Sequence, residues 1–329
     1  MADLLRIATF NLENLDDKPG EQPTLDERIA LMRPQLLRLN ADILCLQEVN
    51  GQEQPGQPRR LLALDCLLAG SDYAEYHRAS TLTTEGQVFD ERNLVILSRF
   101  AIAERAQHRH RFAPAPRYRQ VTAEPAQQEA EAVSWERPIL HARVRLDDGR
   151  TLEVINLHLK SRLPTTVAGQ KVDQHTWRTA SGWAEGYFLS SIQRVGQALE
   201  ARILVDSLFD ENPDALIAVC GDFNAEADEV AMEAICGELE NTNNPRLAGR
   251  VLIPCERTVP LSSRYSLLHR GQGRMLDHVL VSRALLAGYR GSEIHNELLH
   301  DESLAFATDK LYPESDHAPV VATFEMPAG

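Results

Sequence analysis

One stretch of the chain, residues 216–224, constrains the fold more than any other. Its apolar run Leu216–Cys220 stops at Gly221 and is followed by Asp222 and Asn224. A short apolar run closed by a glycine predicts a buried strand. Side chains alternate along a strand, so Asp222 and Asn224 should point the same way. Such a pair can hold a water, a phosphate oxygen or a hard cation, although Asp and Asn after glycine are also common in simple turns.

Other predicted strands end in polar residues of the same kind. Taken singly, these residues have ordinary explanations: a strand-end Asn is commonly part of a turn, and His158 could be a core histidine. Asp277 is harder to explain in this way, because a carboxylate inside an apolar strand needs a partner. The recurrence of such residues therefore predicts one polar site at the strand ends. The residues are Asn11, Glu48, His158, Asp222, Asn224, Asp277, Asp316 and His317.

The order of the predicted elements indicates an α/β fold. Strand and helix patterns alternate, and Asp147-Asp148-Gly149 predicts a tight hairpin turn, so the sheets should be mixed rather than purely parallel. A chain of 329 residues with about ten strands suggests two sheets packed face to face with helices outside. We find no linker, and predict a single domain over residues 1–329 with surface insertions at about 103–137 and 160–186.

Two helices are predicted with particular features. The first spans residues 24–39, begins at the cap Thr24 and should kink or break at Pro34. The second spans residues 187–208 and has a predicted apolar face that includes Leu199.

Charge and cysteine usage limit the class of protein. The formal net charge of -14 argues against a protein that coats nucleic acid, but not against an enzyme that meets a polyanion through cations and a local basic patch. The basic run 105–119 is a candidate for that patch, although a solvated loop explains it equally simply. Five cysteines have spacings that fit neither a disulfide framework nor a zinc site, and Cys45 and Cys220 lie in apolar runs, which predicts buried thiols and a reducing compartment. With no secretion signal and no membrane span in the sequence, we expect a cytoplasmic protein.

The predicted strand ends carry six short motifs, which are Thr9-Phe10-Asn11-Leu12, Leu46-Gln47-Glu48, Asn156-Leu157-His158, Gly221-Asp222-Phe223-Asn224, Leu276-Asp277-His278 and Ser315-Asp316-His317. In these motifs and in their order, the sequence resembles the endonuclease/exonuclease/phosphatase superfamily. That family includes deoxyribonuclease I, abasic-site endonucleases, neutral sphingomyelinases and inositol polyphosphate phosphatases. The resemblance implies a four-layer α/β/β/α sandwich and metal-dependent hydrolysis of phosphodiester bonds.

The resemblance also implies a metal site and contacts to substrate. Glu48 would be the principal metal ligand, with Asn11 and Asp316 near the same or a second cation. Hard oxygen ligands suit one or two Mg²⁺ or Mn²⁺ ions rather than zinc. Asn93 and Arg274 lie where the family places residues that touch the phosphate.

The remaining residues would take part in the chemistry. By the same resemblance, Asp222 would orient or deprotonate the attacking water, and Asn224 would hold a phosphate oxygen. His317 would pair with Asp277, which should raise the pKa of the imidazole. His158 would donate to the phosphate or to the leaving oxygen.

Three functions stay open on the sequence. The first is a nuclease that acts on DNA or RNA, and the second is a phosphodiesterase or phosphatase for a small or lipid substrate. The third is a binding scaffold without catalysis, which the filled catalytic positions argue against. A membrane or a protein partner is not indicated.

Overall fold

The computed structural model describes residues 3–304 and 311–326. Its first strands in chain order are β1 Asp3–Leu15, β2 Ile43–Val49, β3 His77–Ser80, β4 Asn93–Ser98, β5 Ala101–His108, β6 Arg117–Tyr118, β7 Glu131–Ala132 and β8 Ile139–Arg145. The later strands are β9 Thr151–His158, β10 Leu216–Asp222, β11 Ile253–Pro254, β12 Leu267–His269, β13 Gln272–Arg274, β14 Asp277–Val281, β15 Tyr289–Ile294 and β16 Val320–Met326.

The helices alternate with these strands. The α-helices are α1 Leu25–Leu39, α2 Leu62–Leu68, α3 Ala180–Glu211, α4 Val230–Cys236, α5 Leu239–Thr242 and α6 Arg283–Leu286. Short 3-10 helices lie at Asp72–Glu75, Pro245–Arg250, Cys255–Thr258 and Leu261–Ser263. None of the described helices is long and apolar enough to cross a membrane.

Two six-stranded sheets form the centre of the molecule. The first has the order β15-β16-β1-β2-β4-β3, and the second has the order β11-β14-β10-β9-β8-β5. In each sheet one central pair is parallel, β1 with β2 and β9 with β10, whereas the neighbouring pairs are antiparallel. The inner faces share one apolar core, α1 and α2 cover the first sheet, and α3 and α4 cover the second. The predicted four-layer sandwich is confirmed.

A buried polar network joins the two sheets near one end of the core. Gln47 of β2 donates to Oδ1 of Asn156 on β9 at 2.7 Å, and the amide of Asn156 donates to the carbonyls of Leu46 and Val95. Because buried polar groups are costly unless paired, this network fixes how the strands of one sheet lie over those of the other. The predicted buried thiols of Cys45 and Cys220 lie in the same core.

Helix α1 shows why the predicted break at Pro34 is wrong. Thr24 and Glu27 form a reciprocal capping box, and Met32 and Leu36 are buried against the first sheet. The helix continues through Pro34 to Leu39. We infer that the cap and the apolar contacts outweigh the roughly 3 kcal/mol that a proline costs in a helix interior.

Helix α3 anchors the first insertion through two buried glutamates. Glu200 accepts hydrogen bonds from the backbone N–H groups of residues 110–112 and from the indole of Trp135. Glu185 accepts from the hydroxyls of Tyr118 and Thr122 and from two backbone N–H groups. The insertion is therefore held against the helix rather than free in solvent.

Two boundaries and one helix face differ from the sequence prediction. Residues 101–108 form the edge strand β5, so the first insertion begins at about 109, and α3 begins at Ala180 inside the second predicted insertion. Strand β5 is mostly exposed, and the apolar pattern that marks buried strands is therefore missing. Leu199 is 49% exposed, because α3 turns polar residues such as Glu200 inward to bind the insertion.

Gly221 allows the strand that ends at Asp222 to lie against its neighbour. Its φ is 144°, and a Cβ there would meet the carbonyl oxygen of Leu157 at 1.9 Å. We expect Gly221→Ala to lower the free energy of unfolding by about 3 kcal/mol or more, since neither backbone can move without disturbing the sheet. Gly149→Ala is a matched control, because its φ is 82° but a Cβ there meets nothing within 4 Å. Urea denaturation measures both losses, and equal losses would show that the close approach to Leu157 is not the cause.

Candidate active site

Strand register brings three of the predicted site residues into one row across the second sheet. Asp222 of β10 lies opposite His158 of the parallel strand β9 and opposite Asp277 of the antiparallel strand β14. The first sheet contributes Asn11 from β1 and Glu48 from β2, which run parallel and end at the same edge. The apolar runs that precede these residues thus determine where the polar side chains meet.

Asp222 connects the two sheets at this edge. Its Oδ2 accepts from the amide of Asn11 at 3.1 Å and from the amide of Asn224 at 3.0 Å, and its Oδ1 accepts from the backbone N–H of Asn224 at 2.8 Å. The carboxylate is almost completely buried. The amides of both asparagines therefore fix the orientation of Asp222.

His158 lies between the carboxylates of both sheets. Its Nε2 is 3.3 Å from Oδ2 of Asp222 and 3.6 Å from Oε1 of Glu48. Burial lowers the pKa of His158 well below its usual value, and the nearby Arg137 guanidinium lowers it further. Both effects favour the neutral imidazole, which has a single ring N–H to donate.

His317 and Asp277 form the predicted pair. Nδ1 of His317 lies 2.7 Å from Oδ2 of Asp277, and Nε2 lies 3.9 Å from carboxylate oxygens of both Asp222 and Asp316. Burial alone would lower the pKa of His317, but the three carboxylates together raise it well above the usual value, as expected. The residues before Pro319 form bends rather than strand, which lets neighbouring side chains face one pocket.

Negative charge is concentrated in the pocket. Burial raises the pKa of Asp222 to about 7 and that of Asp316 to about 6, with contributions from other carboxylates that include Glu48. Burial and the charge of Asp316 raise the pKa of Glu13 to about 8. Oδ1 of Asp277 is buried and has no hydrogen-bond partner among the residues that the structure describes. Carboxylates crowded in this way form a favourable environment for a cation.

One group of side chains has the spacing of a metal site. Ligand atoms of Asp222, Asp277 and His317 all lie within 4.8 Å of one another. The sequence prediction placed the metal instead on Asn11, Glu48 and Asp316. These residues line the same pocket, since Glu48 lies beside His158 and Asp316 beside His317. The amide of Asn11 bonds Asp222, so the two sets adjoin each other.

The backbone around the pocket is unusual. Glu13, Asn14, Glu48, Arg92 and Asn224 all have φ between 46° and 58°. Such values are uncommon for residues other than glycine, and they cluster at functional sites. The turns they form aim the strand-end side chains into one pocket.

A group of cations lies beside the pocket, and the sequence did not predict that they would meet. Arg92, Arg137 and Lys160 all lie within 4.0 Å of the carboxylate of Glu136. Burial lowers the pKa of Arg137, and the charge of Glu48 opposes this shift most strongly. The three cations thus face two carboxylates, Glu136 and Glu48, which leaves an excess of positive charge. Their sequence positions carry no common motif, since they come from three separate segments.

Two predicted substrate contacts have other partners in the structure. The side chain of Asn93 makes four hydrogen bonds with protein groups, including Phe89 and Thr81, and so holds the preceding loop. Its contact with the phosphate stays a prediction. Arg274 pairs with Glu226, two residues after Asn224, which places it at the rim.

The basic run is only partly available for a ligand. Arg109 donates to the carbonyl of Glu136 and Arg117 to that of Ala130, while the backbone of Arg111 is bound to Glu200. A role for this run in binding a polyanion stays a prediction.

Comparisons with known proteins were made on sequence and on structure. The sequence profile described as the Endonuclease/Exonuclease/phosphatase family matches residues 8–317. A search of curated proteins finds no match.

Several solved structures share the fold over nearly the whole chain. A family protein from Bacteroides thetaiotaomicron is 14% identical with a TM-score of 0.60, and covers 98% of this chain and 95% of its own. An AP endonuclease from Archaeoglobus fulgidus is 17% identical with a TM-score of 0.52, covering 98% of this chain and 100% of its own. A 3′ phosphatase, NExo, from Neisseria, bound to a product DNA hairpin, is 19% identical with a TM-score of 0.52 and the same coverage.

Proposed function

Because this chain belongs to the endonuclease/exonuclease/phosphatase family, we propose that it is a Mg²⁺- or Mn²⁺-dependent nuclease that hydrolyses phosphodiester bonds of DNA or RNA. The observation that carries the proposal is the position of Asp222. This carboxylate is oriented by Asn11 and Asn224, and lies 3.3 Å from His158 and 3.9 Å from the paired His317. An oriented base, two imidazoles and a surplus of carboxylates are the groups that hydrolysis of a crowded anion requires.

The donor atoms fit a hard cation. The 2.7 Å contact between His317 and Asp277 occupies one ligand atom of each residue, so we assign this pair to the substrate. We assign the cation to Glu48, Asn11 and Asp316, whose oxygen atoms are the kind that Mg²⁺ and Mn²⁺ prefer. When bound, the cation would neutralise phosphate charge and make a water more acidic.

Each protein group then has one role in our proposal. Asp222 orients the attacking water or accepts its proton, and Asn224 holds a phosphate oxygen. His317, fixed by Asp277, stabilises charge on the phosphate from its Nε2 side. The neutral His158 donates its N–H to a phosphate oxygen or to the leaving oxygen. Each role rests on proximity to Asp222, the residue on which these contacts converge.

The charges beside the pocket support a polynucleotide as the substrate. The excess positive charge of Arg92, Arg137 and Lys160 lies next to an acidic site in a protein whose net charge is -14. Cations placed there can contact the phosphates that flank the scissile bond. Two structural neighbours bear names that refer to AP endonuclease activity and to a DNA hairpin, which supports the same class of substrate.

A substrate panel tests the proposal. Purified protein is stripped with EDTA, supplied with Mg²⁺ or Mn²⁺, and incubated with plasmid, linear duplex, single strands, sphingomyelin and inositol phosphates. We expect metal-dependent cleavage of a nucleic acid at a rate well above that of the other substrates. Preferential turnover of sphingomyelin or an inositol phosphate would overturn the nuclease assignment. No turnover of any substrate would overturn the catalytic assignment as well.

A further inference from the structure

Two exposed aromatic rings stack on each other at the start of α3. The ring centroids of Trp183 and Tyr187 are 5.6 Å apart, and their planes differ by 17°. The two residues are 46% and 43% exposed. Rings of this size are mostly buried in a fold or bound by a partner, and a stacked pair leaves one outer face free for another flat group.

The pair lies on the side of α3 that leads to the active site. Residues four apart share one face of a helix, and Arg194 continues the same face about 10 Å beyond Tyr187. The guanidinium of Arg194 donates to the carbonyls of Lys160 and Ser161 at 3.0 and 3.1 Å. These residues directly follow the strand that ends at His158.

We call residues 159–165 the strap, because this segment connects the active site with the aromatic pair. One end follows His158, and at the other end the N–H of Thr165 donates to the carbonyl of Gly186 on α3 at 3.0 Å. Between them, the guanidinium of Arg162 approaches the carbonyl oxygen of Asn224 at 3.4 Å. The strap therefore connects Asn224 with the turn of α3 that carries Tyr187.

The strap carries the charges that a nucleic-acid backbone needs. Lys160 and Arg162 each have an acidic neighbour, Glu136 and Glu229, and neither cation is fully buried. A stacked strand rises about 3.4 Å per nucleotide along its axis, so about three nucleotides would span the roughly 10 Å along α3 between Arg194 and Tyr187.

We propose that Trp183 and Tyr187 are a stacking surface for unpaired bases, and that the substrate is single-stranded nucleic acid or a duplex with a single-stranded extension. The proposal deepens the proposed nuclease function and rests on it. Aromatic faces accept any base, so this surface selects for strandedness rather than for sequence. A blunt duplex keeps its bases inside the helix and cannot use the pair.

A binding measurement tests the stacking directly. We use Trp fluorescence and anisotropy with a labelled 12-nucleotide single strand, in EDTA so that no turnover occurs. We expect Trp183→Ala and Tyr187→Ala each to raise the Kd at least about fivefold, the lower end of the effect of losing one stacked base. Trp183→Phe keeps a ring and should retain most of the affinity. Leu199→Ala is the control, because Leu199 is 49% exposed on the opposite face of α3.

A kinetic measurement separates this proposal from the proposed nuclease function. With metal present, both alanine variants should raise KM for a duplex with a single-stranded extension and leave cleavage of a blunt duplex unchanged. If both alanine variants are active and their Kd and KM are unchanged, the stacking surface is wrong but the nuclease function is not affected. Loss of binding to phosphatidylcholine–sphingomyelin vesicles, with oligonucleotide affinity intact, would assign the aromatic pair to a membrane and also overturn it. Absence of any turnover would count against the proposed nuclease function. The Kd for the single strand would still test whether Trp183 and Tyr187 stack on bases.

Discussion

His317→Ala is expected to lower the turnover number on the best substrate of the panel by a hundredfold or more. The imidazole is fixed by Asp277 at 2.7 Å and presents Nε2 to the pocket at 3.9 Å from Asp222. Loss of a general acid–base or electrostatic group of this kind commonly has an effect of that order. His141→Ala is a matched control, because His141 makes a 2.6 Å bond to Glu153 outside the site and should leave the turnover number nearly unchanged.

Asp277→Asn tests whether the two residues act together. The substitution keeps the shape of the side chain but removes the charge that faces His317, so we expect a lower turnover number. The double variant His317→Ala/Asp277→Asn should lose far less than the sum of the two single losses, because groups that act as one unit are not additive. Full additivity in this cycle would show that the residues act independently and would contradict their assignment as a pair.

The second large effect is expected for Glu48→Gln. We expect this variant to lose nearly all activity while the protein stays folded. Oε2 of Glu48 accepts from the backbone N–H of Asn14 at 3.0 Å, and a glutamine carbonyl can keep that bond. The charge is lost, and with it the cation ligand. Repulsion with Asp222 and Asp316 is relieved, but the attraction to the buried Arg137 is lost as well. Because the two effects oppose each other, the Tm should change little. We would measure Mn²⁺ binding by calorimetry, together with turnover and thermal unfolding.

Glu53→Gln serves as the control for that measurement, since Glu53 is an exposed glutamate that pairs with Arg59 away from the pocket. Near-normal turnover of Glu48→Gln at saturating Mg²⁺ would show that Glu48 is not the principal ligand. A low Tm for Glu48→Gln would instead indicate a structural role, and turnover could then not be interpreted.

The sequence predicts the positions of those polar side chains that lie at the ends of apolar runs. Asp222, His158 and Asp277 each follow or begin a buried strand, and strand register then places them in one row. The contact between His317 and Asp277 could be expected for the same reason, once Pro319 indicated a turn. The four-layer fold follows from the order of these strands and helices.

The rest depends on tertiary contacts that no local pattern reveals. Arg92, Arg137 and Lys160 meet at one carboxylate although they lie in three segments of the chain. Asn93 is predicted to touch substrate, but its side chain also makes four hydrogen bonds that hold the preceding loop. Helix α3 buries polar side chains such as Glu200 to bind the insertion and leaves Leu199 exposed, so its apolar residues indicate its buried face only in part.

The measurement that tests our account most directly follows the oxygen of water into the product. The best substrate of the panel is cleaved in ¹⁸O-labelled water, with Mg²⁺ and with EDTA, by the wild type and by Glu48→Gln prepared in parallel. The account predicts one ¹⁸O atom in the phosphate product per bond cleaved, only with Mg²⁺ and only in the wild type. Cleavage that persists in EDTA or in Glu48→Gln, or a phosphate product without ¹⁸O, would contradict metal-dependent attack of water on the phosphodiester at this site.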